Sequence, residues 1–234
     1  VSIEDASAGA LHSAAVFCTL TNHMALFLTF EGLDGSGKST QVRRLAERLR
    51  QAGREVLVLR EPGGTPVGEA IRTILLDRAN TALTPAAELF LFSASRSLLV
   101  EQVIRPALAA GTDVICDRFV DSTTAYQGGG RGIDTAIITA VNRGATGGLE
   151  PHVTFFLDLP DDERQRRQQA TGIERDRMES SGAEFYARVR RVFLDLAKHA
   201  TRFTVLDGRL SEQKLADQIW SAIEPRLERH RIQK

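Results

Sequence analysis

One stretch constrains this chain more than any other: Gly32-Leu-Asp-Gly-Ser-Gly37-Lys38-Ser39. It satisfies the spacing G-x-x-x-x-G-K-[ST] and lies between an apolar run, ALFLTF at 25–30, and an amphipathic stretch, QVRRLAERLRQAG. A strand that ends in such a loop and restarts as a helix turns its backbone N–H groups inward, and the helix N-terminus adds partial positive charge. The reading is a phosphate cradle formed by Gly32, Leu33, Asp34, Gly35, Ser36, Gly37, Lys38, Ser39 and Thr40. Lys38 is expected at the β- and γ-phosphates of a nucleotide, with the Ser39 hydroxyl on Mg²⁺. The competing reading is a glycine-rich turn that holds nothing, and the strand-to-helix context argues against it.

Beyond the loop, apolar runs alternate with helical patterns. The runs are EVLVL (55–59), DVIC (113–116), VTFFLDL (153–159) and RFTVL (202–206). Continuous apolar runs suit strands covered on both faces, so the expected fold is α/β, of the P-loop NTPase type. It has three layers: a five-stranded parallel sheet with helices on both sides and the site at the strand C-termini. In the first helix Val42, Leu45, Leu49 and Ala52 share one face, and Gly53 stops it. Thr84-Pro85 opens a long helix, and the last helix runs over about 211–229 with Leu215, Ile219 and Ile223 on one side.

Residues 24–230 are read as one domain. Residues 1–23 contain no Lys or Arg, and their apolar patch, 14–20, is too short to span a bilayer. They are expected to be a poorly ordered extension before Met24, of the kind an overlong start assignment produces; a targeting arm stays open as the alternative. Thirty acidic and thirty basic side chains cancel, which argues against a nucleic-acid or acidic-membrane partner. The two cysteines, Cys18 and Cys116, lie far apart, which fits a reducing cytoplasm rather than a disulfide framework.

A magnesium-bound nucleotide calls for a carboxylate at a neighbouring strand end, and Asp117 fits, with a cap or an Arg118 ion pair as its plainer role. Three stretches then offer pieces of an acceptor pocket. REPGGT (60–65) puts Arg60, Glu61 and Pro62 at the rim, and Arg72 on the next helix is a candidate phosphate clamp. In FLFSASR (90–96), Phe92 and Arg96 share a helix face that suits stacking on a base and bonding its edge. Spacing alone favours Phe92 as core. In DRFVDSTTAYQGGGRGID (117–134), Arg118 follows the strand-end Asp117, and Ser122, Thr123, Tyr126 and Gln127 are base- and sugar-sized contacts. The GGG run reads as a mobile loop.

In order and spacing, FEGLDGSGKST, REPGGT, FSASR, DRF and YQGGGRGID resemble the thymidylate kinase family over Ala25 to about Leu227. The resemblance implies transfer of the ATP γ-phosphate to dTMP, with Mg²⁺ and commonly a homodimer. It also implies that Phe92 stacks on thymine, Arg96 bonds the base edge and Arg72 and Arg118 clamp the acceptor phosphate. Ser122, Thr123, Tyr126 and Gln127 are implied at base and deoxyribose, and Asp34 near the sugar 3′-OH. Phe119 departs from the tyrosine or histidine the family often has there. A different nucleotide kinase, or a P-loop switch or ATPase, remains the alternative.

Lys38 is the one basic residue in the loop, yet phosphoryl transfer depends on several placed cations. Arg164, Arg166, Arg167, Arg175 and Arg177 crowd the stretch 161–180. The family supplies its missing charge either from the loop or from arginines of a flap, the LID, here about 164–182. This chain resembles the second type, with Arg167, Arg175 and Arg177 as candidate catalytic residues beside Lys38 and Arg118. Mixed charge on a solvated helix is the plainer reading for each taken singly.

Overall fold

The computed structural model describes residues 24–171, 177–178 and 182–228. The expectations for residues 1–23 and Arg175 lie outside the described residues. Strand β1 (Phe27–Gly32) leads through the glycine loop into helix α1 (Lys38–Gln51), followed by β2 (Val56–Arg60) and α2 (Pro66–Leu76). Helix α3 (Pro85–Leu99) continues through a π-helical turn, Val100–Ile104, into α4 (Arg105–Ala109) and β3 (Asp113–Asp117). The short α5 (Val120–Thr123) runs into a second π-helical stretch, Thr124–Gly130, before α6 (Thr135–Thr146). The chain closes with β4 (Val153–Asp158), α7 (Asp161–Thr171), α8 (Ala183–His199), β5 (Phe203–Asp207) and α9 (Glu212–Glu228).

The five strands form one parallel sheet in the order β2-β3-β1-β4-β5. Alternation along each strand divides the core. Leu28 and Phe30 of β1 and Phe155 and Leu157 of β4 meet Val42, Leu45 and Leu49 of α1 and Ile219 and Ile223 of α9. On the opposite face, Phe27, Val114 and Cys116 pack on Leu99 and Ile104, while Phe156 stacks on Phe193 with centroids 5.0 Å apart. Burial on both faces is why β1, β3 and β4 read as unbroken apolar runs, whereas the edge strands β2 and β5 are only partly covered and leave Val58 and Val205 exposed.

Local chemistry sets the helix starts. Thr65 and Thr84 each accept a bond from a backbone N–H of the first turn, from Gly68 and Ala87, and each is followed by proline. The glycine run at 128–130 is not the mobile loop expected from sequence. It belongs to the π-helical stretch packed on α8, where a Cβ on Gly129 would lie 2.5 Å from Val192 and one on Gly130 would strike the Phe185 ring. Here glycine permits close approach of two helical segments, so that Tyr126 and Gln127 are held in a firm wall.

Candidate active site

The phosphate loop is made largely of backbone. Gly32, Gly35 and Gly37 have φ of 138°, 78° and 93°, conformations that side-chain-bearing residues rarely adopt. A Cβ on Gly32 would lie 2.6 Å from the Leu157 carbonyl oxygen, so β4 closes the floor of the loop. Lys38 Nζ donates to the carbonyls of Gly32 (3.1 Å) and Leu33 (3.0 Å). Burial, then the nearby Arg118 charge, lowers the lysine's pKa. Ser39 Oγ donates to Asp117 Oδ2 at 2.8 Å, which brings a hydroxyl from the first turn of α1 and a carboxylate from the end of β3 together at the loop mouth.

Next to the loop lies a wall of interlocked side chains. Arg118 takes the left-handed conformation, φ 73°, and reaches Asp34 Oδ1 at 2.5 Å, Ser122 Oγ at 3.1 Å and Tyr126 Oη at 3.4 Å. Burial works to raise the Asp34 pKa, but Arg118 and Lys38 hold it below the usual carboxylate range. Arg96, only 1% exposed, donates to Glu61 Oε2 (2.7 Å), Thr123 Oγ1 (2.9 Å), Asn142 Oδ1 (3.1 Å) and the Phe119 carbonyl (3.1 Å). Those bonds use four of the five N–H groups a guanidinium carries. Arg72 donates to the Pro62 carbonyl at 3.0 Å, beside the cis Glu61–Pro62 bond.

These pieces line one continuous cleft of about 670 Å³. Lys38, Ser39 and Asp117 stand at one end, and Phe92, Arg96, Arg72 and Gln127 line the same space. Glu61, Pro62, Ser122, Thr123 and Tyr126 complete the wall. Phe92 is half-buried, packed against the cluster that holds Tyr126 and Met178 while still lining the cleft, so both readings of its spacing describe part of its environment.

The thymidylate kinase family model matches residues 30–219. A thymidylate kinase of Chlorobaculum tepidum is 49% identical over 208 residues, which are 85% of this chain and 97% of that protein. One from Deinococcus radiodurans is 47% identical over 203 residues, covering 86% and 97%. The crystal structure of thymidylate kinase from Ehrlichia chaffeensis superposes with a TM-score of 0.70 at 35% identity, over 86% of this chain and 98% of that one. The chain belongs to the thymidylate kinase family.

In this member of the family, the described flap arginines differ in what they touch. Arg167 donates to the Gly35 carbonyl of the phosphate loop (3.2 Å), to the Gly208 carbonyl (2.9 Å) and to Glu163 (2.7 Å). Arg177 instead donates to the Leu75 carbonyl (2.8 Å) and pairs with Glu88 at 2.7 Å. Arg166 is exposed and paired with Glu163, and Arg164 lies 3.9 Å above the Tyr186 ring.

Sequence reasoning passed over several residues that hold this site together. Glu88, 1% exposed, gathers Gln127 (2.9 Å), Arg131 (3.1 Å) and Arg177; burial opposes its charge, but these donors hold its pKa below normal. Asn142 reaches in from α6 to Arg96, and Met178 closes the cleft near Phe92. Glu31 is fully buried at the end of β1. Only Glu31 carried a signal: a lone carboxylate inside an apolar strand just before the loop.

Proposed function

We propose that this chain transfers the γ-phosphate of ATP to dTMP, giving dTDP and ADP, as a cytoplasmic homodimer whose catalytic unit is residues 24–230. The observation that carries the reading is the continuity of the cleft: a second, aromatic- and arginine-lined compartment opens directly beside the phosphate loop. A switch or simple ATPase has no use for such a compartment.

The loop N–H groups and Lys38 bind the donor phosphates, and Arg118 and Arg72 hold the acceptor phosphate. Phe92 stacks on thymine beside Gln127 and the remaining Nη2 hydrogen of Arg96, while Ser122, Thr123 and Tyr126 face the sugar and base. Asp34, fixed by Arg118, orients the acceptor. The paired Ser39 hydroxyl and Asp117 carboxylate are hard oxygen donors that suit Mg²⁺, and they are the residues to hold it. When bound, the ion neutralises charge on the donor phosphates.

The acceptor oxygen is already ionised at neutral pH, so the site needs no general base; its task is to align two anions and offset their repulsion. Arg167, already bonded to the loop carbonyl of Gly35, is the described flap residue best placed to supply the missing cation. Arg177, anchored on Glu88, docks the far end of the flap over the acceptor wall. Val67 and Ile74 on α2, Phe90 on α3 and Ile137 on α6 are exposed apolar side chains on helices that pack on one another, and they support a homodimer surface.

The test is turnover with ATP and, in turn, dTMP, dUMP, dCMP, dGMP and thymidine. The highest kcat/KM is expected with dTMP. A preference for thymidine, or ATP hydrolysis indifferent to any acceptor, would overturn the reading.

A further inference from the structure

Among the described residues, Arg118 is the one non-glycine residue with a positive φ. A left-handed arginine costs on the order of 1–3 kcal/mol and persists only where its surroundings fix it. Its own N–H is tied to the Phe30 carbonyl at 2.9 Å. The next residue, Phe119, immediately precedes α5 at its N-cap and provides no side-chain cap for it. The cap comes from the neighbouring strand. Glu31 Oε1 accepts from the N–H groups of Phe119 (2.8 Å) and Ser122 (3.2 Å), and Glu31 Oε2 accepts from Ser122 Oγ (2.6 Å). Ser122 Oγ in turn accepts from Arg118 Nη1. One carboxyl therefore grips the chain on the far side of the left-handed turn and also supports the guanidinium that the turn delivers to Asp34.

We propose that Glu31 is a positioning residue for phosphoryl transfer: its buried side chain fixes the turn that aims Arg118 into the cleft. The alternative is that Glu31 merely satisfies buried donors, with consequences for folding and none specific to the acceptor. Because Glu31 immediately precedes Gly32, the same strand end sets the phosphate loop and the acceptor clamp, which keeps the two nucleotides in register. This inference rests on Arg118 belonging to the acceptor clamp.

The experiment is a double-mutant cycle of Glu31→Ala with Arg118→Ala, measured as steady-state kinetics with ATP and dTMP, alongside Glu31→Gln. Glu31→Ala is expected to lower kcat/KM for dTMP on the order of 10²-fold, the scale of a small misplacement at a reacting centre, with the KM for ATP changed by less than about twofold. Glu31→Gln, which keeps an acceptor oxygen and can donate to Ser122 Oγ, is expected to recover most of that loss. In the Arg118→Ala background, Glu31→Ala is expected to add less than about threefold, because both changes remove the same contact. An equal loss in both backgrounds, or a matching rise in both KM values, overturns the inference. Should Glu31→Ala fail to fold, Glu31→Asp goes through the same cycle under the same criteria. If Arg118→Ala leaves the KM for dTMP unchanged, the clamp reading fails and this inference with it; if Arg118→Ala is impaired while Glu31→Ala is not, the inference alone fails.

Discussion

The two ends of the cleft are built from different materials. At the phosphate-loop end, which the proposed function gives to the donor, the lining is mostly main chain, set by three glycines with positive φ and by the floor of β4. At the other end, which the proposed function gives to the acceptor, it is side chains that depend on one another: Arg96 joins Glu61, Thr123 and Asn142, and Glu88 joins Gln127, Arg131 and Arg177. A backbone site tolerates any side chain that stays out of the way. A site of interlocked side chains is only as well placed as its least supported member, so damage spreads through it.

That contrast predicts where substitutions hurt. Arg96→Ala leaves the carboxyl of Glu61 buried without its partner, and the expected cost is about 3–5 kcal/mol of stability, read from urea unfolding. A loss below about 1 kcal/mol would show that the acceptor wall is not cooperative.

A second effect depends on pH. Burial, and then the nearby Asp121 charge, pushes Glu31 up to about 8, while Arg118 works against the rise; Lys38 and Arg202 also feel its charge. Because the folded protein keeps a proton that the unfolded chain sheds, Glu31's contribution to stability falls as pH rises from about 4.5 to about 8 and is flat above that. Glu31→Gln removes this term, so its Tm relative to the parent is expected to climb across that window and then level off. The change corresponds to a few kcal/mol at about 1.4 kcal/mol per pH unit. A Tm difference independent of pH would mean that Glu31 carries an ordinary carboxylate pKa.

The smallest effect belongs to the donor end. Ser36 Oγ is buried with no hydrogen-bond partner among the described residues, so Ser36→Ala, which removes that unsatisfied hydroxyl, is expected to raise stability, by about 1 kcal/mol in thermal melts, and a loss of stability would show that the hydroxyl has a partner.

The same contrast explains what could be read in advance. The glycine loop, the five parallel strands and the capped start of α3 follow from local spacing and period, which a linear sequence displays directly. Most of the residues named from motif resemblance line one cleft. The supports behind them were not legible. Asn142 reaches Arg96 across 46 residues and Glu88 reaches Arg131 across 43, with no pattern near either to announce the pairing. The glycines at 128–130 misled for a related reason: a residue without a side chain fits a loose loop and a tight helix contact equally well, and only the arrival of Val192 and Phe185 decides between them.

The central claim is a division of labour, with Arg118 serving the acceptor and Arg167 serving the phosphate in transit. Steady-state kinetics of Arg118→Ala and Arg167→Ala with each nucleotide varied in turn tests it most directly. Arg118→Ala is expected to raise the KM for dTMP and lower kcat, whereas Arg167→Ala lowers kcat by about 10²–10³-fold with the KM for dTMP nearly unchanged. The account is contradicted if Arg167→Ala keeps the parent kcat, or if the two variants shift the same parameters for the same nucleotide.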